Sequence, residues 1–306
     1  MEHLNATALD LVDEAIDFAD ELGVAVHNLE NDAVVVDFGV ATDGGIEAGL
    51  LLAEIVTGGL ATVRTHVGSV AGTPRTHVEL ASDHPELALR SSARPDWQPA
   101  LMNALGSGPA RLLAENGSAP AMDRDETFAF AVLALVAERL PEEPVAEDAA
   151  SRCGVPTSGV FLPTVPLDSV AGAVWMAART SEAAVSRLAH LGYDASKIVS
   201  VVGSAPVPPI AGDHRTALAR AGNAIAHGGR VHLTVEEEFD RFAAVPYGAT
   251  ERGDESFGVV FEEGRGLDAV ATAELAPAQA TVDVRGGETH TLGSRDDDRL
   301  AAHLGL

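Results

Sequence analysis

The chain's 306 residues are enough for one large domain or two packed lobes, and a hydrophobic fraction of 46% excludes wholesale disorder. Its 46 acidic residues outnumber its 20 basic residues, of which only Lys197 is a lysine, and the formal net charge of -26 disfavours nucleic acids and anionic membranes as partners. We interpret this charge as a halophilic adaptation to a salt-rich cytoplasm, where dissolved ions screen the repulsion between surface carboxylates.

The N-terminal part of the chain predicts helices that alternate with short strands. A first helix is capped by Asn5 and stops at Gly23, and a second runs from Gly44-Gly45 to Gly58-Gly59. The period-two segments predict one strand pair at 24–29 and 33–38, turning at Asn31-Asp32, and a hairpin of 60–67 and 76–81 around Gly68–Gly72.

From Pro85 the pattern is helix, strand, glycine loop and helix, followed by a central strand within 125–140. Segment 171–178 is ambiguous, because its alanines favour a helix while Val174 and Trp175 favour a strand. The remaining predicted elements, in chain order, are a helix at 145–152, a strand at 159–165, a helix at 181–191 closed by Gly192, a strand at 197–202 with a loop at Gly203, a helix at 213–227, a strand at 230–235, a hairpin of 279–284 and 289–292 turning at Gly286-Gly287, and a short final helix.

These elements define an α/β protein with mixed sheets and flanking helices. Two crude halves each contain a strand, a glycine loop and a helix, so we expect two closely packed lobes that enclose a cleft, with a division near residues 120–125. The polar stretches at 116–125 and 250–256 are too short to link independent domains.

Arg179 and Glu182 are the first candidate catalytic residues. Their spacing of three places both side chains on one side of a helical turn. An arginine can hold and orient an ionised carboxylate, and a carboxylate can serve as a general base. An ordinary surface ion pair is the alternative interpretation.

Two glycine-proline segments, Gly106-Ser107-Gly108-Pro109-Ala110-Arg111 and Gly203-Ser204-Ala205-Pro206, are predicted to be loops. Such loops offer free backbone N–H groups and close backbone approach. In the first segment the N–H groups and Arg111 are suited to a phosphate or a carboxylate tail, and a tight connection that needs glycine for its angles is the alternative. It matches neither the phosphate P-loop nor the dinucleotide fingerprint.

Histidines and the single cysteine raise two further hypotheses. His66 and His77 are predicted to face each other across the hairpin, with Asp83-His84 just beyond, but no HExxH, HxH or cysteine partner accompanies them. We therefore predict scattered histidines and no metal. Cys153 carries no sequence sign of activation and is predicted to be a small core residue.

The expected compartment is the cytoplasm. With Cys153 alone no internal disulfide is possible, which fits a reducing compartment. The N-terminal segment lacks the basic and apolar regions of a signal peptide, and the longest apolar run, 128–137, suits a buried strand rather than a membrane span.

Several segments are more specific in their combined order and spacing than any is alone. They are Asp43–Leu50, Thr57–Ala61, Ser82–Pro85, Trp97, Gly106–Arg111, Pro163–Ser169, Arg179-x-x-Glu182 and Gly203–Pro206. Together they make the chain resemble the methenyltetrahydromethanopterin cyclohydrolase family almost end to end. Arg94 stands where the family has a lysine, and the stretch 236–266 matches poorly.

The resemblance implies hydrolysis of the cationic 5,10-methenyl bridge of a reduced pterin carrier, of the tetrahydromethanopterin type, to its N5-formyl form. It also implies a homotrimer and no metal or organic cofactor. Catalysis is assigned to Glu182 and Arg179. Substrate binding is assigned to Arg94, Gly106, Ser107, Gly108, Arg111, Gly203 and Ser204. The alternatives are the same reaction on a tetrahydrofolate carrier, a non-enzymatic binder of an anionic metabolite, and metal-dependent hydrolysis through the histidines.

Overall fold

The computed structural model describes residues 4–90, 102–114, 130–253, 255–260 and 275–306. The chain forms two compact units, the first from residues 1–59 and 90–172 and the second from residues 60–89 and 173–306. Each unit is therefore built from two stretches of the chain. The single division predicted near 120–125 falls outside the described residues, and the predicted cleft stays a prediction.

The described residues form the following helices and strands. The helices are α1 (Leu4–Asp17), α2 (Ala19–Leu22), α3 (Ile46–Val56), α4 (Pro85–Arg90), α5 (Ala110–Leu113), α6 (Glu143–Cys153), α7 (Val170–Ala178), α8 (Thr180–Leu191), α9 (His214–Gly228), α10 (Phe257–Val260) and α11 (Asp297–Leu304). The strands are β1 (Ala25–Asn28), β2 (Val34–Asp37), β3 (Thr62–Val70), β4 (Thr73–Ser82), β5 (Leu105–Ser107), β6 (Ala131–Val132), β7 (Ala134–Val136), β8 (Val160–Val165), β9 (Ile198–Pro206), β10 (Arg230–Val235), β11 (Gln279–Val284) and β12 (Thr289–Gly293).

The first unit contains a mixed six-stranded sheet in the order β1-β2-β8-β7-β5, with β6 also paired to β8. Strands β2, β7 and β8 are parallel neighbours, and β1 and β5 run antiparallel at the two ends. One face packs against α6, and the shared core includes Val35, Leu135, Val145, Ala149 and Leu162. The alternation of apolar side chains in these short strands supplies that core.

The second unit contains the other six-stranded sheet, in the order β12-β11-β10-β9-β4-β3. Only its β10–β11 pair is parallel, and every other pair is antiparallel. Helix α8 packs against this sheet, where Ala184 and Leu188 join Val201, Leu233 and Val282 in one core. The predicted class, α/β with mixed sheets and flanking helices, is confirmed.

Glycine residues explain where several helices end. Gly23 and Gly192 terminate α2 and α8 in the left-handed conformation, with φ of 65° and 99°. The ambiguous segment is helix α7, because its residues are buried on nearly all sides and a fully apolar helix suits that environment. The β3–β4 hairpin turns tightly at Ala71-Gly72, with φ of 47° and 80°. Gly68 therefore lies inside β3 and not in the turn.

Two predictions about the first unit need correction. Asn5 does not cap a helix: it lies inside α1, fully buried, where its amide donates to Pro109 O at 3.2 Å and its Oδ1 accepts from Val132 N at 3.0 Å. The long strand predicted within 125–140 is, in its described part, two short strands interrupted at Leu133, and residues 125–129 lie outside the described ranges.

Cys153 closes α6 and packs against the core of the first unit, as predicted. Its thiol donates to Ala110 O at 3.3 Å, and burial raises the pKa of the Cys153 thiol to about 12. It is therefore a protonated packing residue at neutral pH. Across the described ranges, none of the helices combines the length and the apolar character needed to span a membrane.

Candidate active site

The junction between α7 and α8 brings Arg179 and Glu182 together. Arg179 is the one residue between the two helices, with φ of -71° and ψ of 2°; its N–H donates to Met176 O at 3.1 Å and its C=O accepts from Ala183 N at 2.9 Å. Glu182 follows in the first turn of α8. The predicted placement on one side of a helical turn is confirmed.

The two side chains form a buried two-point ion pair. Arg179 Nε donates to Glu182 Oε2 and Arg179 Nη2 donates to Glu182 Oε1, both at 2.7 Å. The side chains are 5% and 10% exposed, so the surface-pair interpretation is wrong. Such fork-to-fork pairing fixes the plane of the carboxylate and leaves a second lone pair on each oxygen for another donor.

Two residues that sequence reasoning did not assign to the site also lie against the guanidinium. The ring of Trp175 lies 5.2 Å from Arg179 Cζ, and Met176 Sδ lies 3.8 Å from Nη1. These contacts follow from helical spacings of four and three, but segment 171–178 had no assigned structure from which to derive them. The guanidinium is therefore held both on its edge, by Glu182, and on its face.

Gly203 and Ser204 lie within strand β9, so the predicted loop is wrong. Gly203 is paired with Leu80 of β4 on one side and with Val231 of β10 on the other. The backbone here is thus engaged in the sheet ladder and offers no free cradle of N–H groups. A glycine inside a strand can mark the close approach of another part of the backbone. The sequence pattern does not distinguish such a glycine from one that ends the strand, as we predicted for Gly203.

The close approach at Gly203 is to helix α8. A Cβ added to Gly203 would lie 2.5 Å from Ser181 Oγ and 2.7 Å from Ser181 N. Ser204, the next residue in the strand, points to the opposite face of the sheet. Its Oγ is buried, with no hydrogen-bond partner in the part of the chain that is described. Position 203 and the side chain of Ser204 therefore face opposite sides of the sheet.

The Gly106–Arg111 segment is a strand end followed by a single helical turn. Gly106 and Ser107 belong to β5, and Arg111 is buried in the four-residue α5, at 8% exposure. Gly108 has φ of 110°, and an added Cβ would lie 2.9 Å from Val132 O. Glycine is therefore required here for its angle and for close approach, as the alternative interpretation held.

The assigned residues are distributed between the two units. Arg179, Glu182, Gly203 and Ser204 belong to the second unit, and the Gly106–Arg111 segment belongs to the first. Arg94 and Trp97 lie outside the described residues. Substrate contact by any of these residues stays a prediction.

The histidine pair has the predicted arrangement. His66 and His77 are directly opposite in the β3–β4 register, and their rings stack with centroids 5.2 Å apart. Burial lowers the pKa of His77 below its ordinary value, which favours the neutral ring. Within the described ranges, no group of three or more histidine, cysteine, aspartate or glutamate side chains is arranged to hold a metal ion.

Comparison with known families identifies the class of protein. The family model described as Cyclohydrolase (MCH) matches residues 3–303, so the class of this α/β protein is a hydrolase.

Curated relatives make the identification specific. Proteins of two Halobacterium salinarum strains, both named methenyltetrahydromethanopterin cyclohydrolase, are 48% identical over 100% of this chain and 100% of their own. A protein of the same name from Methanocella arvoryzae is 34% identical over 100% of this chain and 99% of its own. The chain belongs to the methenyltetrahydromethanopterin cyclohydrolase family, as the resemblance predicted.

Proposed function

We propose that this chain hydrolyses the 5,10-methenyl bridge of a reduced pterin carrier of the tetrahydromethanopterin type, giving the N5-formyl form. The observation that carries the proposal is the buried two-point pair of Arg179 and Glu182 at the family's Arg-x-x-Glu. The reaction as proposed needs no metal or organic cofactor. The working form is proposed to be a cytoplasmic homotrimer.

The chemistry starts from the charge of the substrate. Two nitrogens share one positive charge across the methenyl carbon, which makes that carbon electrophilic. A water molecule must lose a proton as its oxygen bonds to the carbon, so one positioned base is the minimal requirement. Glu182 supplies that base through a lone pair that the Arg179 guanidinium leaves unoccupied.

The first step preserves the net charge of the site. The substrate loses its positive charge when the C–O bond forms, and Glu182 loses its negative charge when it takes the proton. Arg179 carries one positive charge throughout. Charge therefore moves over a short distance in a buried place, which avoids building up an unbalanced charge there.

The second step breaks the bond between the methenyl carbon and N10, so that the formyl group stays on N5. N10 must gain a proton, and protonated Glu182 is the group suited to give it. The hydroxyl group of the adduct loses its own proton as the formyl C=O forms. Summed over both steps, water is consumed and one proton is released.

The decisive experiment offers both methenyl carriers to purified protein in high salt and follows loss of the methenyl chromophore. We expect Glu182→Gln to lower turnover by about two to four orders of magnitude, because the amide cannot accept the proton. Glu142→Gln is the matched control, since Glu142 pairs with Arg139 at the same spacing of three but with 72% of its side chain exposed. Activity of Glu182→Gln within about tenfold of wild type would remove Glu182 from the mechanism.

The role of Arg179 is tested by the pH dependence of the rate. Arg179→Lys keeps the charge and loses the planar fork, whereas Arg179→Ala loses both. If Arg179 orients Glu182, the pH–rate profile changes in both variants, further in the alanine variant. An unchanged profile with weaker binding alone would make Arg179 a substrate anchor.

The same preparation distinguishes the alternative functions. Faster turnover of the tetrahydrofolate carrier would change the assigned carrier and leave the chemistry unchanged. Binding without turnover, indifferent to Glu182→Gln, would indicate a non-enzymatic binder. Inactivation by a chelator with recovery on adding a metal would indicate metal-dependent hydrolysis.

A further inference from the structure

We infer that Ser181 and Gly203 form a positioning contact that sets where Glu182 stands, and that Gly203 serves this contact instead of binding substrate. The inference rests on the proposed role of Glu182 as the base. It gives Gly203 a role that is compatible with its position inside strand β9.

The first line of support is a hydrogen bond that ties the start of α8 to the sheet. Ser181 is fully buried, and its Oγ donates to Leu80 O of β4 at 3.0 Å. The preceding residue, Thr180, is also fully buried and donates to Ala177 O at 2.9 Å. The first turn of α8, which carries Glu182, is therefore fixed both to the sheet and to the end of α7.

The second line of support is that Gly203, which lies beneath that turn, has no side chain. Leu80 and Gly203 are direct partners in the β4–β9 register, so Ser181 lies over this pair of residues. A Cβ at position 203 would lie 2.5 Å from Ser181 Oγ, 2.7 Å from Ser181 N and 3.0 Å from Ser181 Cα. A serine side chain can rotate away, but the backbone nitrogen cannot, so any larger residue must displace the helix start.

Displacement of the start of α8 would also move Glu182, the proposed base. Glu182 is the next residue after Ser181, and its carboxylate is fixed to Arg179 on the same turn. A misplacement of about 1 Å at a reacting group costs about a hundredfold in rate. The contact thus acts on catalysis through Glu182, without touching the substrate.

The test compares Gly203→Ala, Ser181→Ala and the double variant with wild type. We expect Gly203→Ala to lower kcat by about ten- to a hundredfold, with KM changed by less than about threefold. Ser181→Ala should lower kcat by about tenfold and shift the pH–rate profile, because the base is less firmly placed. The double variant should not recover, since Ser181 N still lies 2.7 Å from the added Cβ.

Two controls separate positioning from general stability. Tyr193→Phe removes the hydroxyl of a buried tyrosine just beyond the other end of α8, which donates to Glu237 O at 3.2 Å. This variant should have a lower Tm and an unchanged pH–rate profile. Gly212→Ala adds a Cβ with no atom within 4 Å and should change neither. If Gly203→Ala fails to fold, Ser181→Ala against Tyr193→Phe decides the question.

Three results would overturn the inference. A raised KM with kcat unchanged in Gly203→Ala would make Gly203 a substrate contact. Rescue of Gly203→Ala by Ser181→Ala would show that the backbone contact does not matter. A Ser181→Ala profile matching that of Tyr193→Phe would leave the hydroxyl a purely structural role. The proposed function fails separately, through an active Glu182→Gln variant.

Discussion

Dismantling the Arg179–Glu182 pair, one side chain at a time and then together, gives a quantitative prediction. The variants are Arg179→Met, Glu182→Leu and the double variant, which replace charged groups by apolar groups of similar length. Each single variant leaves one charge buried at 10% exposure or less, without the two 2.7 Å hydrogen bonds that now satisfy it. Breaking one side of a buried pair costs about 3–5 kcal/mol of unfolding free energy.

The double variant should behave differently from either single variant. With both charges removed, no group is left buried and unpaired, so its unfolding free energy should lie within about 1 kcal/mol of wild type. The pair would then contribute little to stability, and its presence would be explained by catalysis. Turnover should be lost in the double variant because Glu182 is absent.

Denaturant unfolding in molar potassium chloride measures these free energies, and Arg139→Met with Glu142→Leu forms the matched cycle. That pair has the same spacing but side-chain exposures of 61% and 72%, so each of its single variants should cost about 0–1 kcal/mol. Costs at Arg179 and Glu182 as small as these would show that the pair is not desolvated. A double variant as unstable as the sum of its singles would refute the coupling, and a double variant that still turned over would refute Glu182 as the base.

Three further predictions follow from the charge and from buried polar groups. Dilution from molar potassium chloride to about 0.01 M, where charges interact over about 30 Å, should lower activity, Tm and oligomer size together. Equal heat stability and an unchanged oligomer size at both ends would contradict the halophilic interpretation. Burial, with His303 and Arg299 nearby, lowers the pKa of His227 to about 4, so stability should be lost as pH falls from about 6.5 to about 4, by at most about 3 kcal/mol. Thermal melts of His227→Gln, which has no ring to protonate, should lack that component, and an unchanged pH dependence would contradict it. Asn5→Leu should cost about 1–3 kcal/mol in denaturant unfolding, because two buried backbone groups lose their partner, and a neutral effect would show that they find another.

The sequence alone determined the elements whose causes are local. Gly23 and Gly192 end helices because left-handed residues close helical turns, and the alternating segments form the predicted hairpins. The order and spacing of the motifs also sufficed for the family. Asn5 failed as a prediction because an asparagine is equally able to cap a helix or to satisfy distant backbone groups.

Tertiary structure decided where β9 ends and which side chains surround Arg179. Strand β9 continues through Gly203 because β4, from a much earlier part of the chain, pairs along it. The local sequence of β9 does not predict that it pairs with β4, and the length of a strand depends on the strands it pairs with. Trp175 reaches Arg179 only because segment 171–178 is a helix, which burial on nearly all sides favours.

Burial of the Arg179–Glu182 pair is the clearest case of a property that spacing cannot give. Ion pairs of the Arg-x-x-Glu spacing also occur at Arg139–Glu142 and Arg252–Glu255, where the glutamate side chains are 72% and 44% exposed. Spacing of three brings the side chains together in all three places, at the start of a helix in Arg179–Glu182 and outside any helix in the other two pairs. Only Arg179–Glu182, among these three, stands where α7 and α8 meet with their surroundings closed by packing. Desolvation comes from elements distant in sequence, so the fold, and not the motif, distinguishes a candidate catalytic pair from a surface ion pair.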